Sequence, residues 1–454
     1  MEKIELPYSK YAALKAEGER TAAFNFAAVD NKTNLPAQSP LPAKLENNAD
    51  VVIIGGGYVG LSTAYHLAEQ AKSAGNTLNI VVLEAGKIGS GPSGHSMGHV
   101  VGQLEATPDQ ITKIYGAEMA VKLGAHAETG PALVKNLIEK LELPAGVQQG
   151  YLVVGPNGEQ QSFNDDSMFG IRPLPYTLGL AQRARELGVK IYENAPVTHV
   201  DDANGQTRVT TAHGAFNTKF VVGAGGHGMG QTIPELSALD KNNFTLYAST
   251  IISDQIPPQV IKAIMPQAQD GKPQPFANTK IDVGYGSIVD NRIVFGAGIK
   301  ATDRPPDIER MKRELYEMFP NLPAEYKKAT GKDLHFETLV APKALDFTLD
   351  LLPEVGKRGV NDNIYFAHGL SGRGIALGTM LGKSIADDIF ARTTNTPNAN
   401  NVFNDFAQVK HAKTAILKNA AVRAVAVTAL TLPDRVNDVK KMVARGRRAL
   451  HLGR

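Results

Sequence analysis

The 454-residue sequence contains no cysteine. That excludes disulfides, iron–sulfur clusters, zinc–thiolate sites and any prosthetic group tethered through a cysteine thioether. It also fits a reducing compartment. Tryptophan is absent as well, and the eleven histidines show no metal-ligand spacing such as HExxH, so no metal centre is expected. No run reaches the roughly 18 uninterrupted apolar residues of a membrane-spanning helix. The opening "MEKIELPYSKYAALKAEGER" lacks the apolar core of a secretion signal, so the expectation is a cytoplasmic protein. A net charge of only +3 makes no case for nucleic acid as a partner. With 43% hydrophobic residues a full core is expected, and the length suits two or three domains, or one large α/β domain with a companion.

Glycine, by contrast, is abundant, and one group of it is ordered. In "ADVVIIGGGYVGLSTAYHLAEQ" (Ala49 to Gln70) the β-branched run Val51 to Ile54 reads as a buried parallel strand. Gly55, Gly57 and Gly60 then form G-x-G-x-x-G, and Leu61, Ala64, Tyr65 and Ala68 recur at helical spacing. The first glycine of such a motif permits a tight turn, the second lets a pyrophosphate approach the backbone, and the third lets the helix pack close to the strand. The helix N-terminus supplies N–H groups and partial positive charge to phosphates. A second strand, "NIVVLEAG", ends at Glu84, placed to accept hydrogen bonds from a ribose hydroxyl. The bare glycine pattern also fits Gly89, Gly91 and Gly94, and Gly223, Gly225 and Gly228. Only the first copy reads as standing between a strand and a helix with an acid-terminated strand to follow.

Four further stretches follow in order: "VVLEAGKIGSGPSGHSMGHV" (from Val81), "GLAQRARELGVKIYENAPVTHV" (from Gly179), "VTTAHGAFNTKFVVGAGG" (from Val209) and "NIYFAHGLSGRGIALGTMLGKSIADDI" (from Asn363). Together with the opening motif they resemble the D-amino-acid oxidase superfamily of FAD-dependent amine oxidoreductases, which includes glycine oxidase, sarcosine oxidase and dimethylglycine dehydrogenase. The strongest likeness is to the γ-glutamylputrescine oxidoreductase branch, with "LDFTLDLLPEVG" (Leu345 to Gly356) preceding the last motif. The resemblance covers about residues 41–391. It implies FAD bound by Gly55, Gly57, Tyr58, Val59, Gly60, Glu84 and Ala85; by Ser90, Ser93, Gly94, His95, Ser96 and Met97; by the backbone of Val197; by Gly225 and Gly226; and by Gly369, Ser371, Gly372, Arg373, Gly374 and Ile375. The last glycines precede an apolar helix whose N-terminus, in such flavoenzymes, points at the flavin pyrimidine edge.

The implied fold class is α/β plus α+β: a Rossmann-like FAD-binding domain with an antiparallel-sheet substrate domain. The expected division is an N-terminal extension over 1–48; FAD-binding segments over 49–110, 176–235 and 351–400; a substrate or cap segment over 111–175; the substrate-binding sheet over 236–350; and a basic helical tail over 401–454. Within the sheet segment, "FTLYASTII", "GSIVDNRIVFGAG" and "DLHFETLVAP" read as strands and "DIERMKRELYEMF" as a helix. "RIVFGAG" (Arg292 to Gly298) matches a family stretch at the flavin ring.

The cofactor implies the chemistry: a hydride equivalent leaves the carbon beside an amine nitrogen, and the imine hydrolyses. No triad is needed. The residues weighed for catalysis are Tyr285, Arg373, Lys280 and His95. His95 has three readings: an anchor for covalent flavin, a flavin-facing polar residue, or a loop histidine; His99 is a lesser candidate for the same roles. Arg373 reads as a ligand for a substrate carboxylate or a flavin carbonyl, or as an exposed loop arginine. Tyr285 and Tyr247 read as pocket walls or as sheet packing. Lys280 corresponds loosely to a lysine near flavin N5 in sarcosine oxidases. Two positions depart from the γ-glutamylputrescine branch: Lys343 stands where relatives often have a Trp-x-Gly segment, and Gly286 stands in place of a common arginine.

From Val402 to Arg454 eleven lysines and arginines face three acids, a net of +8 that leaves −5 for the rest. Such a tail suits an anionic membrane surface or a packed, solvated helix. Three functional readings result: an amine or amino-acid oxidase using oxygen, with a small-molecule substrate; a quinone-linked dehydrogenase peripheral to the inner face of the membrane; and a non-catalytic flavoprotein acting as an assembly partner. The first is favoured.

Overall fold

The computed structural model describes residues 48–411 apart from 156–157, 204–205, 242, 280–283, 298, 301–302, 304, 399–401 and 410. Lys280, the N-terminal extension and the tail beyond His411 therefore lie outside the described residues. The first half runs β1 (Asn48–Ile54), α1 (Tyr58–Ser73), β2 (Ile80–Leu83), α2 (Pro92–His95), β3 (His99–Val101), α3 (Pro108–Tyr115), α4 (Ala117–Lys140), β4 (Tyr151–Val154), β5 (Gln160–Phe163), β6 (Met168–Gly170), α5 (Pro173–Glu186), β7 (Lys190–Tyr192), β8 (Val197–Ala203), β9 (Gln206–Thr211) and β10 (Gly214–Gly223). The second half runs α6 (Met229–Thr232), β11 (Asn243–Ser253), α7 (Pro258–Ile264), β12 (Phe276–Asn278), β13 (Tyr285–Val289), β14 (Arg292–Gly296), α8 (Ile308–Met318), α9 (Leu322–Thr330), β15 (Phe336–Thr348), β16 (Glu354–Arg358), β17 (Ile364–His368), α10 (Gly374–Thr394) and α11 (Val402–Ala407).

The expected strand-turn-helix is present, and β1 is interior to its sheet, parallel to β2 on one side and β10 on the other. The sheet order is β16-β17-β10-β1-β2-β7, with β8 and β9 continuing as a meander from β10. Side chains of a strand alternate between faces, and here the alternation separates two cores. Val51, Ile53, Ile80 and Val82 pack with α1 and α10 through Leu61, Ala64, Leu377 and Leu381. Val52, Ile54, Val81 and Leu83 pack on the other face with Val200, Val209 and Phe216 of the meander. Apolar residues on both faces are what makes these strands read as continuous hydrophobic runs.

α1 and α10 cross closely because small and hydroxylated residues meet there. Ser62 Oγ donates to the Thr379 carbonyl at 2.6 Å and Thr63 Oγ1 to that of Gly382 at 3.0 Å. The second sheet has the order β15-β11-β14-β13-β12-β4-β5, antiparallel except where β12 meets β4. Its outer face carries Ile251, Ile288, Ile293 and Phe295 against α7, α8 and α9. The expected helix at "DIERMKRELYEMF" is α8, capped by the Asp307 side chain accepting from Arg310 N, with Met311, Leu315 and Met318 buried at one-turn intervals. Strands β4 and β5 come from well before the rest of that sheet in the chain. Among the described residues, no helix is long and apolar enough to cross a membrane.

Candidate active site

The glycine turn after β1 has the geometry its spacing implies. Gly55 adopts φ +109°, a left-handed conformation open to glycine, and its amide donates to Leu83 O at 2.9 Å. A Cβ on Gly60 would overlap the Gly55 carbonyl oxygen, so the first turn of α1 approaches the loop only without a side chain there. Gly57 is the N-cap of α1, with no capping side chain and no acid in the first turn. Those first-turn N–H groups suit an anion. Glu84, at the end of β2, accepts from Gly56 N through Oε2 and from Gly86 N through Oε1, both at 2.8 Å. Both carboxylate oxygens are thereby fixed, and each keeps a second lone pair for a hydroxyl. The loop before Val197 joins the same place: Ala195 N donates to Glu84 O at 2.9 Å and Asn194 N to Gly86 O at 2.8 Å.

The second glycine copy does more than the sequence reading allowed. Gly91 caps the one-turn helix α2 with φ −86° and ψ −167°, close to the −87° and −169° of Gly57. A Cβ on Gly94 would overlap the Gly89 carbonyl oxygen, repeating the Gly60–Gly55 contact. The motif Gly89–Gly94 thus also begins a helix, a point hidden because a four-residue helix has no readable periodicity. Tyr58 joins the two loops: its hydroxyl donates to the Ser93 carbonyl and lies 3.2 Å from Ser96 Oγ. His95 directs Nδ1 at the Gly91 carbonyl, 3.0 Å away in its own turn. Ser90 Oγ accepts from Lys87 N, and Ala85 is exposed. Past β10, Ala224 N donates to Ile54 O at 2.8 Å, which brings Gly225 and Gly226 beside the first loop.

The two sheets meet at β3. Met97 packs on Ile252, Val294 and Leu339 of the second sheet. His99 Nδ1 lies 2.7 Å from Tyr151 Oη, and Nε2 lies 3.1 Å from the Gly286 carbonyl. A carbonyl only accepts, so Nε2 carries the proton, and Nδ1 then accepts from Tyr151. Burial pushes the His99 pKa down to about 4, so the ring is neutral. Tyr151 and Tyr285 stand edge-on to it, with ring centroids 5.3 and 5.9 Å away. Tyr285, Ser287, Thr250 and Ile252 share the sheet face turned to Met97, by their cross-strand register. On that face the buried hydroxyls of Thr250 and Ser287 have no hydrogen-bond partner. Tyr247 lies on β11, exchanging backbone hydrogen bonds with Lys300.

The third wall is the loop between β17 and α10. Gly369, Ser371 and Gly372 all have positive φ, of +66°, +48° and +84°. Asp346 of β15 braces this loop, accepting from Gly369 N at 3.2 Å and from His368 Nδ1 at 2.9 Å. Arg373 follows at the N-cap of α10, preceding Gly374 and the buried Ile375. Its Nε and Nη2 both reach Glu105 Oε2 at 2.9 Å. Glu105 lies on the loop after β3, so the ion pair spans the two sides of the site.

Of the residues weighed for catalysis, Tyr285 stands edge-on to His99 and Arg373 lies near enough for its charge to act on His99 and Tyr151, His95 stays in the turn that Gly91 begins, and Lys280 lies outside the described residues. Sequence reasoning missed Tyr151 and Glu105. Neither stands in a glycine motif, and only the chain path brings them in.

A family of cues converges here: uncapped first-turn amides, a fixed acid at the end of β2, glycine approaches on three loops, and two partnerless hydroxyls facing them. These residues fit an adenine dinucleotide. That architecture, two large sheets with glycine loops between them, suits a dinucleotide-dependent oxidoreductase. The chain belongs to the FAD dependent oxidoreductase family, whose model matches residues 50–168 and 163–388. FAD is its cofactor. It is 28% identical to γ-glutamylputrescine oxidoreductase of Escherichia coli over 384 residues, 74% of this chain and 83% of that protein. It is 26% identical to a probable oxidoreductase of Haemophilus influenzae over 78% of this chain and 86% of that protein. Its fold is similar to that of glycine oxidase from Geobacillus kaustophilus, with a TM-score of 0.59 at 16% identity, covering 81% of this chain and all of that one. L-proline dehydrogenase from P. horikoshii gives the same TM-score at 19% identity, covering 80% of this chain and 98% of that one.

Proposed function

We infer that this oxidoreductase oxidises the carbon–nitrogen bond of a small amine or amino acid, with oxygen as the electron acceptor. Relatives named for γ-glutamylputrescine, sarcosine and glycine support an amine donor. The observation that carries the reading is the His99–Tyr151–Tyr285 wall, set where the second sheet meets the loop that starts α10.

FAD, when bound, supplies the acceptor for a hydride equivalent from the carbon beside the nitrogen; the imine left behind hydrolyses to a carbonyl compound and the remaining amine. The chain's part is binding and orientation. α1 and the Gly55–Gly60 turn would hold phosphates, and Glu84 would hold ribose. The N-terminus of α10 offers its amides and dipole to developing negative charge. His99 has both ring nitrogens engaged, so it serves as a rigid wall and not as a base. Tyr151 and Tyr285 give flat apolar surfaces for the substrate carbon chain, and Met97 and Ile252 keep water from the junction.

The test is anaerobic. Protein loaded with FAD is mixed with a panel of amines and amino acids while flavin absorbance is followed, and air is then admitted with peroxide assayed. Bleaching followed by one peroxide per flavin reoxidised is expected. A flavin that no donor bleaches overturns the reading, and bleaching without peroxide on reoxidation removes oxygen from it.

A further inference from the structure

The Arg373–Glu105 pair bears on which substrates the site admits, an inference that rests on the function proposed above. Arginine is the residue best suited to grip a carboxylate, through two parallel N–H···O bonds. Here Arg373 stands at the start of α10, near enough to His99 and Tyr151 for its charge to act on both, but Nε and Nη2 are both given to one oxygen of Glu105 at 2.9 Å. Both side chains are about one-third exposed, at 29% and 31%. His99 is neutral, Tyr151 and Tyr285 are phenols, and on the other side of the loop Asp346 and Glu354 are acids engaged with His368. A carboxylate on the reacting carbon would have to displace Glu105 from Arg373 and leave that acid beside it.

We propose that Glu105 is a specificity-determining residue: by occupying Arg373 it excludes substrates that carry a carboxylate on the reacting carbon and favours alkylamines. The loop after β3 is therefore a selectivity element, although it lies outside the glycine motifs. Glu105 acts through Arg373 and takes no part in the chemistry.

Propionate, a carboxylate with no oxidisable amine, is the probe, and its binding to the FAD-loaded protein is read by calorimetry, with no turnover required. Glu105→Gln is expected to bind propionate at least tenfold more tightly than the unaltered protein, and the double variant Glu105→Gln/Arg373→Gln is expected to lose that gain. The proposal is overturned if the unaltered protein binds propionate as tightly as Glu105→Gln, or if the gain persists without Arg373. Should Glu105→Gln not load FAD, Glu105→Ser carries the same comparison. A matched substrate pair reads the consequence: the ratio of kcat/KM for N-methylbutylamine over N-methylnorvaline falls at least tenfold in Glu105→Gln. Failure of the parent reading shows separately, as a flavin that no amine bleaches while propionate binding is still measurable.

Discussion

Gly382 on α10 lies so close to Val59 on α1 that a Cβ at position 382 would overlap the Val59 carbonyl oxygen and press on Ser62. The two helices that cover one face of the nucleotide-binding sheet are therefore locked at a fixed distance. Gly382→Ala forces them apart, and about 1–3 kcal/mol of destabilisation is expected from overpacking. Urea midpoints at constant slope measure it. An unchanged midpoint would mean that the helices can slide.

His66, one turn along α1 from Ser62, is buried with Nδ1 2.8 Å from the Ser62 carbonyl. Burial lowers its pKa from 6.5 to about 4. The folded protein thus keeps this ring neutral, while the unfolded chain takes up a proton below pH 6.5. Stability from this group is fully present above pH 6.5 and falls as pH drops towards 4, by on the order of 3 kcal/mol. His66→Gln is expected to flatten that acid limb. Denaturation curves at pH 7 and pH 4.5 make the comparison, and parallel losses in both proteins would exclude His66 as the source.

His99 is neutral for the same physical reason, with its pKa at about 4. It therefore contributes no ionisation near pH 6.5 to substrate-driven flavin reduction. His99→Gln, which keeps a donor and an acceptor, is expected to slow reduction about tenfold by loosening Tyr151 while leaving the shape of the profile between pH 5.5 and 8 intact. Loss of an inflection near 6.5 in the variant would assign His99 a protonated role instead.

His95 points Nδ1 back at the carbonyl of its own turn. A residue so folded into α2 is expected to face the cofactor without a bond to it. Acid precipitation of the FAD-loaded protein should leave a colourless pellet and a yellow supernatant. Colour held in the pellet and lost in His95→Ala would establish a covalent link.

The opening β1–α1–β2 unit was legible because everything that defines it is local: a buried run, three spaced glycines, an apolar period and an acid within 36 residues. The α8 helix was legible for the same reason, whereas "GSIVDNRIVFGAG", which reads as a strand, is two: β13 and β14 pair antiparallel across a turn at Asp290 and Asn291, both with positive φ. What escaped is what depends on distant chain. Arg373 could be read as a carboxylate ligand, since its partner Glu105 stands 268 positions away. β4 and β5 carry no mark of the sheet they join. Tyr151 and His99 meet only because β4 and β3 are brought to one junction, and no periodicity within either strand encodes that.

Parallel pairing of β1 with β10, and of β10 with β17, joins segments far apart in the sequence, and α10 completes the packing on α1. During synthesis the earliest strands therefore leave the ribosome long before their neighbours exist. Such distant pairings make a chain slow to close and dependent on protection while it waits. α10 is complete only once residues near 394 have emerged, so a chain truncated before that point lacks the packing on α1 and is expected to hold no dinucleotide even with its opening motif intact.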